Sequence, residues 1–419
     1  MCFRISPIIA LSTFIVFGLQ TEAQTTLTLQ RALQTAKNNN AHLQAEQLNI
    51  GLAQTDIITA KLRSNLVLNN ESLQQAAPAQ FAPNTNWHNG QNREVLWQLT
   101  KTFQVAGQRR HRIAVANRSV SLAAETFAET ARDLLRAVGT KWVEVWAAQK
   151  KLDMTAIARN NIDTLISTNQ IRYKNQVITQ TDMIRTELLA KQYAIQYSTK
   201  EEELSNARKE LQLLLSIQDS LAIDTTAYML STPTMALDSL ILQSLQNRSD
   251  ILAARLLINV SDSNIKLQKS LAVPQPEFGL IWNQQNTVPH VGIYAAIGLP
   301  FFNRNQGEIR KSYLIKEQAQ RGLYAVQSQL QTEIETAHAS YRLQQRNLEK
   351  FDLLLAQAQS ILDNVQYAYL KGGTTLIDFL EAQRSWLDTQ QDYYDVLQQY
   401  RQSYIQLLYA TGLINQLAQ

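Results

Sequence analysis

IYAAIGLPFFNRNQGEI, residues 293–309, contains the change of periodicity on which the predicted fold depends. Apolar residues alternate with other residues over its first half, as is typical of a β-strand, at Ile293, Ala295, Ile297 and Leu299. A helix is predicted to start near Gly307, because no strong helix breaker follows for about sixty residues. The segment therefore predicts a strand that leads directly into a very long helix.

Further alternating segments predict two strand pairs, near residues 64–104 and 276–302. In the first pair the two strands are separated by a polar loop that contains Pro78, Pro83 and Gly90. In the second pair the loop is predicted at residues 286–289. We place three aromatic residues at strand ends, where they resemble the aromatic girdles of membrane barrels: Trp97, Trp282 and Tyr294.

The rest of the chain is predicted to form long helices. Glycine occurs 13 times and proline 8 times in 419 residues. A second long helix is predicted to start near Gly107, and sixty helical residues would span about 90 Å. A heptad seam, interrupted only by Gln344, follows from Ile334 through Ala337, Tyr341, Leu348, Phe351, Leu355, Ala358, Leu362, Val365 and Tyr369. Helices of this length need lateral partners, since propensity alone stabilises them little.

The chain also contains an internal repeat. Asn40-Ala41-His42-Leu43 corresponds to Arg248-Ser249-Asp250-Ile251, and the segment 173–182 corresponds to 369–378. We therefore predict a first structural repeat at residues 24–225 and a second at residues 226–419.

The N-terminus, residues 1–23, is predicted to be a secretory signal peptide. Arg4 precedes an apolar stretch, and a cleavage site follows at Ala23. Cys2, the only cysteine, would be removed with it. Beyond this segment we find no run of about 20 apolar residues.

The charge distribution argues against nucleic-acid binding. The formal net charge is +4, but Lys and Arg are interleaved with Asp and Glu along the chain. A phosphate-binding face would need them to gather in one patch.

Four strands cannot close a membrane barrel, since single-chain barrels start at about eight strands. Two, three or four copies of the chain would supply enough strands, and the residues alone do not choose among these numbers. The alternative is a soluble periplasmic coiled-coil scaffold or adaptor protein without a pore, in which the strands form a small sheet packed on helices.

The junction segment resembles the strand-to-helix junction of CzcC-like members of the TolC family of outer-membrane efflux proteins, the heavy-metal efflux branch. The residues that carry the resemblance are Pro300, Asn303, Arg304, Asn305 and Gly307. A weaker counterpart lies at residues 102–109, and residues 369–383 resemble the family's helix turn at the periplasmic tip. The resemblance covers essentially the whole mature chain.

The resemblance implies a mainly α-helical protein with a membrane β-barrel, located in the outer membrane of a Gram-negative bacterium with a periplasmic extension. In a homotrimer, the four strands of each protomer contribute to a twelve-stranded barrel, and long antiparallel coiled-coil helices form a periplasmic α-barrel. Its partners would be outer-membrane lipid, a periplasmic membrane-fusion adaptor and a proton-driven pump of the inner membrane. The chain would be a passive, gated export duct rather than an enzyme, for heavy-metal cations or small toxic compounds.

Four residues match gating positions of that family. Asp378 and Glu381 match the acids of the periplasmic aperture, where three copies would form two anionic rings that favour cations and raise each other's pKa. Asp182 and Tyr369 match the latch between helix pairs. Thr179-x-x-Asp182 and Thr375-x-x-Asp378 also read as helix capping boxes, which would place both aspartates without any gating role.

The two tip turns are predicted to differ, because Gly372 of the second half corresponds to Gln176 of the first. Gating by the two halves would then be unequal.

We find no motif for catalysis, for a cofactor or for a dedicated metal site. The five histidines are far apart in sequence, and His88 and His290 are placed in extracellular loops. No phosphate-binding glycine loop or nucleophile elbow is present.

Overall fold

The computed structural model describes residues 26–218, 221–224 and 236–418. The predicted signal peptide and the predicted repeat boundary at 225/226 lie outside these residues, and both remain predictions.

The described chain is mainly α-helical with one antiparallel sheet. The helices are α1 Leu29–Asn39, α2 Ala41–Lys61, α3 Gln108–Lys174, α4 Gln180–Leu215, α5 Leu237–Asn247, α6 Ser249–Leu271, α7 Gln306–Lys371, α8 Leu376–Ala410 and α9 Ile414–Leu417. The strands are β1 Leu66–Gln74, β2 Arg93–Thr102, β3 Glu277–Gln285 and β4 Val288–Ala296. Apart from α9, the order helix, helix, strand, strand, helix, helix occurs twice.

The two long helices form as predicted. Helices α3 and α7 have 67 and 66 residues, which corresponds to about 100 Å each. Every seam position from Ile334 to Tyr369 is buried or half-buried, whereas most positions between them are exposed. The heptad pattern of α7 is therefore confirmed.

The sheet has the strand order β1-β2-β3-β4, so β1 and β4 are its open edges. Because directly paired residues share a face, the register separates the sheet into two faces. One face is largely apolar, with the rows Leu66–Lys101–Phe278–Ala295, Leu68–Leu99–Leu280–Ile293 and Asn70–Trp97–Trp282–Val291. The other face is more polar, with the rows Val67–Thr100–Gly279–Tyr294, Asn69–Gln98–Ile281–Gly292 and Glu71–Leu96–Asn283–His290.

Several details of the predicted strands were wrong. Strand β4 ends at Ala296, so Ile297 and Leu299 lie beyond it, and residues 297–305 separate the strand from α7. The β3–β4 turn is only Asn286-Thr287, both with positive φ (50° and 70°), and Pro289 and His290 belong to β4. An edge strand tolerates proline because one side of it makes no ladder hydrogen bonds. Trp97 and Trp282 are paired in the middle of their strands and not at strand ends, and Tyr294 lies on the opposite face.

The helices next to the sheet form a layer in the same order as the strands. Helix α3 packs between α2 and α6, and α6 also packs on α7. One edge of the whole layer is thus α2 with β1, and the other edge is α7 with β4. At the end of the molecule away from the sheet, α3 pairs with α4 and α7 pairs with α8.

Within each repeat, a polar residue just before the second helix bonds to the end of the last long helix. Asn40 caps α2 and donates from Nδ2 to the Leu214 carbonyl at the end of α4 (2.8 Å). Arg248, which precedes α6, donates from Nη1 to the Ala410 carbonyl at the end of α8 (2.7 Å). Each repeat therefore uses the start of its second helix to hold the end of its last long helix.

Among the described residues, none of the helices combines the length and the apolar character needed to cross a membrane.

Candidate functional site

The candidate gate lies at the tips of the two helical hairpins, α3–α4 and α7–α8. A capping box starts each returning helix. Asp182 N–H donates to Thr179 Oγ1 (3.1 Å), and Thr179 N–H donates to Asp182 Oδ2 (3.2 Å). The same pair of bonds joins Asp378 and Thr375 at 3.2 and 3.1 Å. The predicted capping boxes are both present.

The two tip turns have the same conformation, contrary to the prediction. Gln176 and Gly372 both have positive φ, 57° and 78°. In each turn two backbone N–H groups donate to carbonyls three and five residues earlier, Gln176 to Tyr173 and Val177 to Arg172 in the first half. Gly372 donates to Tyr369, and Gly373 donates to Ala368, in the second half. Gln176 thus adopts a strained left-handed conformation, and the turn geometry gives no reason for unequal gating.

The aperture acids differ in their surroundings. The Asp378 carboxylate is exposed and accepts hydrogen bonds from Thr375 Oγ1 (2.6 Å) and Thr374 Oγ1 (2.8 Å). The Thr375 and Thr374 hydroxyls and the Thr375 N–H hold the pKa of Asp378 below its ordinary value. Within one protomer the pKa of Asp378 is therefore lowered, whereas like-charge repulsion between the aperture acids was predicted to raise it. Glu381 is exposed one turn further along α8.

Tyr369 bonds to a residue that we did not predict. Its hydroxyl donates to Asn169 Oδ1 (2.8 Å), and Asn169 Nδ2 donates to Thr186 Oγ1 (3.0 Å). The Thr186 hydroxyl in turn donates to the Asp182 carbonyl (2.9 Å). Asn169 and Thr186 are fully buried, and Tyr369 is 4% exposed. We call this series of hydrogen-bonded side chains, Tyr369–Asn169–Thr186, the tip lock. It connects α7, α3 and α4.

The predicted latch between Asp182 and Tyr369 is therefore not formed within the chain. The Asp182 carboxylate instead accepts a hydrogen bond from the Thr179 hydroxyl and lies 3.8 Å from Arg185 Nη1. Only the backbone carbonyl of Asp182 takes part in the tip lock. Heptad spacing alone could not identify Asn169, because a polar residue at a buried position of α3 gives no local signal of its partner.

Two further contacts hold the Tyr369 ring in place. The ring stacks on Phe379 of α8 with centroids 5.4 Å apart. The Arg172 guanidinium lies 4.6 Å from the ring centroid, and its Nη2 donates to the Tyr369 carbonyl (3.2 Å). Arg172 and Asn169 both belong to α3, so α3 fixes both the ring and the hydroxyl of Tyr369.

The junction motif joins the sheet to the helices. Asn305 has a positive φ of 56° and precedes α7. Its Nδ2 donates to the carbonyl (2.9 Å) and the side-chain oxygen (3.0 Å) of Gln268, near the end of α6. Its N–H donates to Asn303 Oδ1 (3.0 Å), and Arg304 Nε donates to the Pro300 carbonyl (3.0 Å). Gly307 lies in the first turn of α7, where a Cβ would meet only open space. Asn305 thus ties the start of α7 to α6, whereas the bonds of Pro300, Asn303 and Arg304 stabilise the junction itself.

The two histidines that were placed in loops differ in their surroundings. His88 lies in the β1–β2 loop, whereas His290 is paired with Asn283 in the sheet. Within the described ranges, no three His, Cys, Asp or Glu residues are grouped closely enough to hold a metal ion.

Comparisons with known proteins support the sequence resemblance. The outer membrane efflux protein family matches residues 240–413. A crystal structure of a membrane protein from Pseudomonas aeruginosa has a TM-score of 0.76 at 17% identity, covering 91% of this chain and 90% of that chain. CusC gives a TM-score of 0.76 at 17% identity, covering 91% of each chain. The outer membrane protein VceC from Vibrio cholerae gives 0.71 at 17% identity, covering 92% of this chain and 96% of that one. No curated protein sequence matches the chain.

Proposed function

We propose that the chain belongs to the outer membrane efflux protein family, the TolC family, and that it is one protomer of a passive, gated export channel. The channel crosses the outer membrane through its sheet and extends through the periplasm as a helical tunnel. The chain itself catalyses no reaction, and the energy for transport comes from a pump in the inner membrane.

The apolar face of the sheet carries this proposal. Its side chains are strongly exposed in the single chain, with Val291 at 81% and Ile293 at 83%. A soluble protein seldom leaves so large an apolar surface in water, and a lipid-facing strand needs one. The opposite face carries the charged and amide groups expected of a water-filled lumen. This two-sided pattern favours a channel over a soluble scaffold.

The open edges support assembly from several copies. Helix α2 and its C-cap Leu62 carry a second series of residues at heptad spacing. Every position of this α2 seam is exposed: Ala45, Leu48, Leu52, Thr55, Thr59 and Leu62. At the opposite edge, α7 exposes Tyr313, Leu314 and Tyr324. We propose that α2 and β1 of one protomer pack against α7 and β4 of the next. The resemblance to the family supports three copies, which would give twelve strands.

The tip lock and the aperture acids form the proposed gate. To open the tip like an iris, α7 and α8 must move relative to α3 and α4. Such a movement separates the Tyr369 hydroxyl from Asn169. Three copies of Asp378 and Glu381 would then line the aperture with negative charge. Within each protomer the Thr375 and Thr374 hydroxyls lower the pKa of Asp378, which favours its ionised form.

The partners and the substrate follow from the resemblance. We propose that the hairpin tips meet a periplasmic membrane-fusion adaptor, which connects the channel to a proton-driven pump. The CzcC-like junction motif supports export of heavy-metal cations, and the anionic aperture would favour them. Small toxic compounds are the alternative cargo.

Single-channel recording tests the proposal. Detergent-purified mature protein is incorporated into planar bilayers, and wild type is compared with the double variant Asp378→Asn and Glu381→Gln. We expect cation-preferring conductance in wild type and loss of that preference in the variant. Failure of wild type and of an unlocked Tyr369→Phe channel to conduct, together with recovery in the soluble periplasmic fraction, would support the scaffold instead.

A further inference from the structure

A group of cations without acidic partners lies where the sheet meets the helices. Residues 57–70 and 95–124 contain no Asp or Glu, although cations and acids are interleaved over most of the chain. Six of the seven cations in these ranges form what we call the junction patch: Lys61, Arg63, Lys101, Arg109, Arg110 and Arg112. The seventh, Arg118, lies further along α3 and donates to the Asn259 carbonyl of α6 (2.7 Å). In the described structure, none of the six makes an ion pair with a carboxylate.

Hydrogen bonds bring the segments that carry the junction patch together. Arg109 Nε, at the start of α3, donates to the Lys61 carbonyl at the end of α2 (2.8 Å). Gln104 Nε2 donates to Ser64 Oγ (3.4 Å), next to Arg63. The cations at the ends of α2, β2 and the start of α3 therefore lie at one level of the molecule.

The position of three of these cations is unfavourable for the helix itself. Arg109, Arg110 and Arg112 lie within the first five residues of α3, which has no acid in its first turn and no side-chain cap. The N-terminus of a helix carries partial positive charge and is stabilised by anions. The Nε of Arg112 is buried without a hydrogen-bond partner. At the corresponding start of α7, by contrast, Glu308 lies 3.6 Å from Lys311.

Aromatic and apolar groups adjoin the patch. Lys101 lies on the apolar face of the sheet, and its Nζ is 5.8 Å from the centroid of the Phe103 ring. Phe103 packs edge-on against Phe278 with centroids 5.8 Å apart. At the opposite edge of the layer, after β4, Phe301 and Phe302 are 70% and 95% exposed. Cations beside exposed aromatics at the end of an apolar surface suit the boundary between acyl chains and phosphate headgroups.

We propose that the junction patch binds the headgroups of anionic glycerophospholipids in the periplasmic leaflet of the outer membrane. This inference rests on the proposed function, because it requires the apolar face to lie in lipid with the helices in the periplasm. The lipid phosphate would accept hydrogen bonds from Arg110 and Arg63, while its acyl chains lie along the apolar face.

Lipid titration followed by native mass spectrometry tests the inference on the detergent-purified assembly. The probes are dioleoylphosphatidylglycerol and dioleoylphosphatidylcholine. We expect wild type to bind phosphatidylglycerol about ten-fold more tightly or better, since each cation near an anionic headgroup adds to the affinity. The variant Lys61→Gln, Arg63→Gln, Lys101→Gln and Arg110→Gln should lose this preference. It keeps Arg109, whose side chain has a structural hydrogen bond.

The matched control removes the same charge elsewhere, with Lys191→Gln, Lys209→Gln, Arg346→Gln and Lys350→Gln. These four exposed residues lie on α4 and in the middle of α7, and the control should keep the preference. If the fourfold junction variant does not assemble, Arg63→Gln with Arg110→Gln should still reduce the preference.

Three results would overturn the inference. Wild type could bind both lipids with equal affinity, or the junction variant and the control could lose the preference for phosphatidylglycerol to the same extent. The third result is displacement of the lipid by sodium phosphate at constant ionic strength. The last result would identify a phosphate site without lipid recognition. Conductance of the same preparation separates this failure from that of the proposed function, since a conducting channel without lipid preference refutes only the junction patch.

Discussion

At the scale of single residues, the tip depends on one buried hydroxyl. Tyr369 on α7 reaches Asn169 on α3, and Asn169 reaches Thr186 on α4. A neutral hydrogen bond of this kind contributes about 1 kcal/mol. Such a bond holds two helix pairs together and still breaks without unfolding either pair, which suits a gate.

Removal of this hydroxyl should loosen the gate. Tyr369→Phe keeps the ring between Phe379 and Arg172 but deletes the bond to Asn169, so we expect the open probability in planar bilayers to rise about five-fold. Tyr341→Phe is the matched control, because Tyr341 Oη lies 2.9 Å from Tyr400 Oη within the α7–α8 pair. Equal open probabilities for wild type and Tyr369→Phe would exclude the tip lock from gating.

The strain at Gln176 gives a second prediction. A non-glycine residue in the left-handed conformation costs about 1 kcal/mol. Gln176→Gly should therefore raise the free energy of unfolding by about 1 kcal/mol, and Gly372→Ala should lower it by about the same amount. A Cβ at position 372 meets no atom within 4 Å, so only the backbone conformation is changed. Chemical denaturation of both variants in detergent measures the two shifts, and shifts of equal sign would contradict this interpretation.

At the scale of elements, a buried ionic cluster holds the end of α8 against α6 and α7. The Arg248 side chain is 3% exposed and lies 2.5 Å from Asp250 and 2.9 Å from Glu333. Burial alone would raise the pKa of Asp250, but the hydrogen bonds and charge of Arg248 outweigh burial and hold that pKa below its ordinary value. The cluster thus depends on an ionised Asp250.

The lowered pKa predicts an acid-sensitive contribution to stability. A carboxylate with a depressed folded-state pKa stabilises the protein above its unfolded pKa of about 4, and this stabilisation is lost as the pH falls below that value. Asp250→Asn should cost about 2 kcal/mol at pH 7 and should flatten the pH dependence of unfolding below about pH 4.

The control for this prediction is Asp262→Asn on the same helix. Asp262 makes a more exposed ion pair with Lys316 at 2.8 Å, so its loss should cost less than about 1 kcal/mol. Similar losses in the two variants would show that burial of the Arg248 cluster does not matter.

The elements were predictable where the signal is local. The seam of α7 and the alternation of the strands depend on spacing within one segment. The seam was correctly placed, and all four strands were found, although the start and the end of β4 were misplaced. The conformation of Gln176 was not predicted, because glycine is the usual residue at a left-handed position, whereas local backbone hydrogen bonds close the turn with glutamine there. His290 was assigned to a loop because Pro289 precedes it, although an open edge strand accommodates both. Asn169 became identifiable only when the register of α3 against α7 was known.

At the scale of the whole molecule, the described chain forms an open layer of strands and helices with two unpaired edges. Helices α2, α3, α6 and α7 lie in the same order as strands β1 to β4. The unpaired edge of the sheet therefore coincides with the unpaired edge of the helix layer on each side of the molecule. One edge presents the exposed seam of α2 and the other presents α7, which are different surfaces. Different complementary edges generate a closed ring of copies when the rotation between them closes. The sheet can therefore become a barrel only if several copies of the chain assemble.

The mass of the detergent-extracted assembly tests this requirement most directly. Light scattering after size-exclusion chromatography, corrected for bound detergent, should give three mature chains. Replacing Leu48 and Leu52 of the α2 seam by Glu should reduce the mass to one chain. A single chain in wild type, stable in buffer without detergent, would contradict the channel and leave the sheet as part of a soluble protein.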